Sequence, residues 1–65
     1  MATIGENIKK LRIKQGLTQD DFVKKTGLKY STFAKIEGGF VKKPGVQMVA
    51  AIANALGVSI EDLMK

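Results

Sequence analysis

Glycine residues divide this chain into short segments whose apolar residues recur at helical spacing. Gly16, Gly27, the pair Gly38-Gly39 and Gly57 each follow such a segment, as is typical where helices end. No segment is long enough to form a stable helix by itself in water. The pattern therefore predicts short helices that are stable only when they pack on one another around one core.

Five helices are predicted from these segments, and no segment has the strict alternation of a strand. A hydroxyl residue followed three positions later by an acidic residue marks a helix start, and this pattern occurs at Thr3, Thr18 and Ser59. The third helix is expected from about Tyr30 to Glu37, and the fourth begins near Gly45. The second and third helices, with the short turn between them, make a motif over about residues 18–38.

The apolar faces of the five helices are expected to share one core. Sixty-five residues allow one domain, so residues 1–65 are predicted to form a single compact all-α domain. The expected core residues are Ile4, Ile8, Leu11, Leu17, Phe22, Val23, Leu28, Phe33, Ile36, Val46, Val49, Ile52, Ala53, Leu56, Val58, Ile60 and Leu63.

Several function classes lack the residues that they need. The chain has no Cys and no His, which excludes disulfides, Cys/His zinc sites and nucleophile–base pairs built on these residues. The usual phosphate-binding glycine loops are also missing. We therefore expect no enzyme, no metal and no cofactor, and the small core leaves no room for a ligand pocket. No apolar run approaches the length of a membrane span, so a cytoplasmic protein is expected.

Positive charge is concentrated in one window of the sequence. The net charge of +5 equals that of residues 24–43, where Glu37 is the single acidic residue. The basic residues of this window are Lys24, Lys25, Lys29, Lys35, Lys42 and Lys43. Such a window indicates either a solvated lysine face or a surface that attracts a polyanion such as DNA.

The predicted third helix has two unlike sides. At about 100° per residue, one side holds Thr32, Phe33, Ile36 and Glu37, and the other holds Tyr30, Ser31, Ala34, Lys35 and Gly38. The first side carries large apolar residues and should face the core. The second is polar with a small centre, which suits either an ordinary exposed face or insertion into the major groove of DNA, whose width of about 12 Å accepts a helix.

The segment LTQDDFVKKTGLKYSTFAKIEGG, residues 17–39, resembles the helix-turn-helix of the phage-repressor and Cro family, also called lambda-repressor-like. The resemblance continues in IxxLR before this segment, and in PxV and AxALGVSIEDL after it. It implies a five-helix fold that binds double-stranded operator DNA with its third helix in the major groove. The implied function is transcriptional regulation, as a repressor, on DNA sites with two-fold symmetry.

The resemblance also implies roles for individual residues. The positions that match base contacts are Tyr30, Ser31 and Lys35, with Lys29 at the entrance of the third helix. The positions that match phosphate contacts are Gln19, Thr18, Lys42 and Lys43, where Thr18 is expected mainly to cap its helix. Arg12 and Glu37 match an ion pair that joins the first helix to the end of the third.

Two departures from the family leave alternatives open. Lys29 stands where a Ser or Thr cap is common, so a helix cap is exchanged for a charge. Phe40 and Val41 occupy loop positions that are often basic, and they either pack against the fourth helix or form an exposed apolar site for a partner. The second possibility suggests an alternative function, a protein-interaction module such as an antitoxin or a component of a larger regulator. A weak homodimer through Val46 or Val58 is expected on DNA.

Overall fold

The computed structural model describes residues 3–64 and contains five helices. They are α1 (Ile4–Lys14), α2 (Gln19–Thr26), α3 (Tyr30–Glu37), α4 (Val46–Leu56) and α5 (Ile60–Met64). No strand occurs within this part of the chain, so the predicted five-helix all-α fold is confirmed. Residues 1, 2 and 65, which the predicted domain includes, lie outside the described residues.

Three of the helices begin at side-chain caps that the sequence pattern marks. At α2 the cap is reciprocal, because the N–H of Asp21 donates to Thr18 Oγ1 at 3.0 Å and the N–H of Thr18 donates to Asp21 Oδ2 at 3.2 Å. Ser59 and Asp62 repeat this arrangement at α5, and Thr3 Oγ1 accepts the N–H of Glu6 at α1. These bonds satisfy N–H groups that have no partner within a helix.

The other two helix starts have no side-chain cap. Lys29 precedes α3 and Gly45 precedes α4, and neither offers a side-chain acceptor to the first turn. The start of α3 is instead fixed by the turn before it. Gly27 has φ +75°, a left-handed conformation that a residue with a Cβ adopts only with strain. This turn of three residues, 27–29, reverses the chain between α2 and α3.

Nine apolar residues are buried and form the core, and all nine belong to the predicted set. They are Ile8, Phe22, Phe33, Ile36, Val49, Ile52, Ala53, Leu56 and Leu63. The rings of Phe22 and Phe33 lie 5.0 Å apart between centroids at an interplanar angle of 44°. This offset contact holds α2 against α3, so the position of α3 is set by its buried side.

The core prediction was wrong for Val46 and Ile60, whose side chains are 78% and 41% exposed. Each is the first residue of its helix, α4 or α5. Both residues line a surface groove together with Pro44 and Met64 instead of packing into the core. Periodicity assigned them to the core because it indicates the face of a helix on which a residue lies, but not whether another element covers that face.

Gly5 is a buried glycine whose role the sequence did not reveal. A Cβ at this position would collide with the carbonyl oxygen of Ile36 and would lie 2.9 Å from that of Glu37. The absence of a side chain therefore lets the beginning of α1 approach the backbone at the end of α3. This close approach fixes α3 from the side opposite to its exposed surface.

Candidate nucleic-acid interface

The two sides of α3 differ in burial as the sequence predicts. Phe33 and Ile36 are fully buried, and Glu37 is 9% exposed. On the other side Tyr30 is 51% exposed, and Ser31, Lys35 and Gly38 are exposed as well, with Ala34 partly covered. We call the side formed by Tyr30, Ser31, Ala34, Lys35 and Gly38 the α3 strip. It presents a phenol, a hydroxyl and an ammonium group on a rigid helix.

A buried ion pair connects α1 to the end of α3. Arg12 Nε donates to Glu37 Oε2 at 2.9 Å and Arg12 Nη2 donates to Glu37 Oε1 at 2.8 Å, which makes the contact bidentate. Arg12 Nη1 also donates to the carbonyl oxygen of Leu17 at 2.7 Å. The hydrogen bond with Glu37 raises the pKa of Arg12, against the opposing effect of burial. The guanidinium thus orients α3 relative to both α1 and the start of α2.

A chain of hydrogen bonds continues from this ion pair to the α3 strip. Gln19 Nε2 donates to Glu37 Oε1 at 3.1 Å, and the hydroxyl of Tyr30 donates to Gln19 Oε1 at 2.8 Å. Gln19 therefore spans from the buried carboxylate to the exposed phenol. No sequence pattern indicates this connection, because it depends on how α2 crosses α3.

The candidate phosphate-contacting residues surround α3 on separate segments. Gln19 lies at the first position of α2, directly after its cap residue Thr18, whose hydroxyl accepts the N–H of Asp21. Lys42 and Lys43 are exposed in the loop between α3 and α4. Lys29, the candidate base contact at the entrance of the helix, is exposed immediately before α3. The cap keeps Thr18 occupied, while the lysine side chains face solvent.

The loop residues Phe40 and Val41 have different environments. Val41 is partly buried and packs against the core. Phe40 is 85% exposed, the highest exposure among the large apolar residues of the described chain. Of the two arrangements open for this pair, packing therefore applies to Val41 and exposure to Phe40.

A surface groove of about 320 Å³ lies beside the same loop. Its walls are mostly apolar and include Ile4, Pro44, Val46, Ile60 and Met64, together with Lys42 and Lys43. Val46 and Ile60, the two residues missing from the core, thus lie together in one exposed apolar region. The groove lies at the surface, whereas the expected lack of a ligand pocket concerns the core.

Two further structural features bear on the kind of site. Within residues 3–64, no three His, Cys, Asp or Glu side chains lie together as metal ligands would. In the same part of the chain, no helix has the length and apolar character that crossing a membrane requires.

Helices α2 and α3, joined by a three-residue turn, form a helix-turn-helix motif. In this motif α3 has one exposed polar side and one side buried in the core. Comparison with known families gives the same class. The family model described as a helix-turn-helix domain matches residues 5–65. The chain belongs to this family, whose members bind DNA. No curated protein matches the sequence.

Proposed function

We propose that this protein binds double-stranded DNA at specific sequences and regulates transcription as a repressor of the phage-repressor and Cro type. The exposed α3 strip, on a helix whose other side is held by α1 and α2, is the observation that carries this proposal. A helix about 10–12 Å across fits the major groove, which is about 12 Å wide. The location proposed for such a repressor is the cytoplasm.

The residues of the α3 strip differ in the base contacts that their chemistry allows. Lys35 donates hydrogen bonds, and guanine O6 and N7 are acceptors in the major groove. Ser31 both donates and accepts, so it suits several bases. Tyr30 contacts a thymine methyl group or a phosphate, and Lys29 approaches the bases at the entrance of the helix. In this proposal Lys35 contributes most to sequence preference.

Phosphate contacts on both sides of the groove would position α3. At the N-terminus of α2, the N–H groups that the capping box does not use would donate to a phosphate, although Asp20 and Asp21 in the same turn reduce the positive potential there. Gln19 begins this helix and retains one amide hydrogen beyond the one donated to Glu37. Thr18 lies beside it, and Lys42 and Lys43 would bind phosphates on the other side. These contacts carry affinity but no sequence preference.

The Arg12–Glu37 pair would act as a positioning contact for DNA binding. It fixes the end of α3 through buried hydrogen bonds, and through Gln19 it reaches the phenol of Tyr30. A rigid α3 loses little conformational entropy when it enters the groove. We therefore assign this pair to preorganisation of the α3 strip.

A second copy of the chain is the proposed protein partner, on DNA sites with two-fold symmetry. The groove that contains Val46, Ile60 and Met64 is the apolar surface available for this contact, and Val58 is largely covered in comparison. Lys42 and Lys43, which also line this groove, would repel their counterparts in a free dimer. Phosphates would neutralise these charges, so dimerisation is expected mainly on DNA.

Selection of binding duplexes from a random pool, followed by sequencing, tests the proposed function. We expect an enriched palindromic site with half-sites about 34 Å apart, one turn of the double helix. The Lys35→Ala variant, selected in parallel, should lose preference at one position of each half-site. A pool that shows no enrichment after repeated rounds with the wild-type protein would contradict sequence-specific binding.

A further inference from the structure

Phe40 combines high exposure with a fixed backbone. Its ring is 85% exposed, but its N–H donates to the carbonyl oxygen of Lys35 at 2.9 Å, and the N–H of Val41 donates to the same oxygen at 3.2 Å. Both bonds fold the loop back onto the last turn of α3. The packing of Val41 against the core holds the next residue in place. The backbone from which the ring extends is therefore held in a defined position.

The ring of Phe40 lies against Gly38, a member of the α3 strip. A Cβ added to Gly38 would lie 3.3 Å from Phe40 Cδ2 and 3.4 Å from Cε2, so the ring occupies the place beside this bare position. Gly38 retains helical backbone angles. It follows Tyr30 and Ala34 at intervals of four residues, which places the three on one line along the helix. The ring thus extends the α3 strip by an apolar group.

The charges near this ring favour a polyanionic partner. Lys35 precedes Phe40, and Lys42 and Lys43 follow it, all exposed. Glu37, the one acidic residue of residues 24–43, is buried in its ion pair with Arg12. A protein partner would have to cover the ring while it neutralises these lysines, whereas DNA supplies phosphates for the lysines and apolar atoms for the ring. The apolar group that the major groove presents is the methyl group of thymine.

We propose that Phe40 contacts the methyl group of a thymine in the bound DNA and so determines part of the sequence preference. This inference rests on the proposed function. The eight residue steps from Tyr30 to Gly38 span about 12 Å at 1.5 Å per residue. The thymine therefore lies a few base pairs along the groove from the base that Tyr30 faces.

The test uses the duplex obtained by selection and replaces its thymines one at a time with deoxyuridine, which removes only the methyl group. For the wild-type protein, one replacement in each half-site should weaken binding about four-fold per contact. This is the effect expected when the burial of one methyl group is lost, about 0.8 kcal/mol. For Phe40→Ala the same replacement should change nothing. Phe40→Leu, which keeps an apolar side chain, should retain part of the effect.

Two controls separate the methyl contact from other effects. Ile13 is another exposed apolar residue, 58% exposed on α1, and Ile13→Ala should keep the wild-type response to deoxyuridine. Urea unfolding should show equal stability for Phe40→Ala and wild type, because the removed ring is mostly in water.

Three results would overturn the inference. The first is that no replacement of a thymine by deoxyuridine weakens DNA binding by the wild type more than DNA binding by Phe40→Ala. The second is that Phe40→Ala loses the same affinity on thymine and deoxyuridine duplexes, as for a sugar contact. The third is that Phe40→Ala binds DNA normally but loses binding to a protein partner. These results leave the proposed function in place, whereas a failure to enrich any duplex would remove both.

Discussion

Arg12 and Glu37 are the individual residues on which the position of α3 most depends. Their side chains are only 10% and 4% exposed, and they share two hydrogen bonds. Removal of one partner from a buried pair leaves a charge without compensation in an environment that solvates it poorly. An exposed pair, in contrast, contributes only about 0–1 kcal/mol.

Substitution of Arg12 by Ala should therefore lower the free energy of unfolding by about 3–5 kcal/mol. Urea unfolding followed by circular dichroism measures this, with Lys14→Ala on the exposed side of α1 as a control that should stay within about 0.5 kcal/mol of wild type. The double variant Arg12→Met, Glu37→Leu should recover much of the loss, since no charge is left buried. A loss below about 1 kcal/mol for Arg12→Ala would place the pair in the class of exposed ion pairs.

Asp21 links the stability of the domain to pH. Hydrogen bonds from the side chain of Thr18, and then from its backbone N–H, lower the pKa of the Asp21 carboxyl. The folded state therefore favours the ionised form. The resulting stability is present above the ordinary aspartate pKa of about 3.9 and is lost as the pH falls through the lower pKa of the folded state.

Urea unfolding between about pH 5 and pH 2 should accordingly show a steeper loss of stability in acid for the wild type than for Asp21→Asn. Asp20→Asn removes the same charge from an exposed position in the same turn without removing the capping box. This control should keep a slope closer to that of the wild type. Equal slopes for all three proteins would show that the cap does not couple stability to pH.

Among whole elements, the start of a helix could be predicted where the groups that cap it lie close together in the sequence. Thr18 with Asp21 and Ser59 with Asp62 form their caps within four residues, so the sequence pattern contains all the necessary groups. The close approach of α1 to α3 at Gly5 and the bridge made by Gln19 join residues far apart in the chain. Such contacts depend on how helices cross, which periodicity alone does not specify.

The uncapped start of α3 predicts a trade-off between stability and DNA binding. Lys29→Ser would supply the missing acceptor and should stabilise the domain by about 1 kcal/mol. It also removes a positive charge from the entrance of the helix and should weaken DNA binding. Urea unfolding and titration with the selected duplex measure the two effects.

Gly45→Ser is the matched control at α4, the other uncapped helix. A Cβ at Gly45 would meet no other atom within 4 Å. Because glycine is itself a fair cap, the gain should be only a few tenths of a kcal/mol, and the affinity for DNA should not change. If Lys29→Ser binds DNA as tightly as the wild type, Lys29 has no part in the interface.

At the scale of the whole molecule, the all-α class and the nine buried core residues could be predicted because the core is formed by amphipathic helices of one period. Val46 and Ile60 could not be placed correctly, because periodicity indicates the face of a helix but not whether another element covers it. The resemblance suggested which residues of α3 face DNA. It did not suggest the apolar groove, which combines α1, α4, α5 and a loop.

The apolar surface groove that contains Val46 is the proposed contact between two copies of the protein on DNA. Val46 is 78% exposed, so Val46→Gln should leave folding unchanged. On a duplex with two half-sites it should weaken binding about tenfold, whereas on a single half-site it should have no effect. Ile13→Gln, a matched change on α1, should behave as wild type on both duplexes. Gel-shift titrations measure these affinities, and an equal loss on both duplexes would show that Val46 acts on DNA and not on a second copy.

Contact between the α3 strip and base edges is tested most directly by the DNA affinities of Lys35→Ala and Lys42→Ala. Each variant is titrated with the selected duplex and with a scrambled duplex of equal composition. We predict that Lys35→Ala costs about 1–3 kcal/mol on the selected duplex and little on the scrambled one, because it loses a base contact. Lys42→Ala should lose similar affinity on both, because it loses a phosphate contact. If Lys35→Ala weakened both duplexes equally, the α3 strip would not contact base edges and the account would be contradicted.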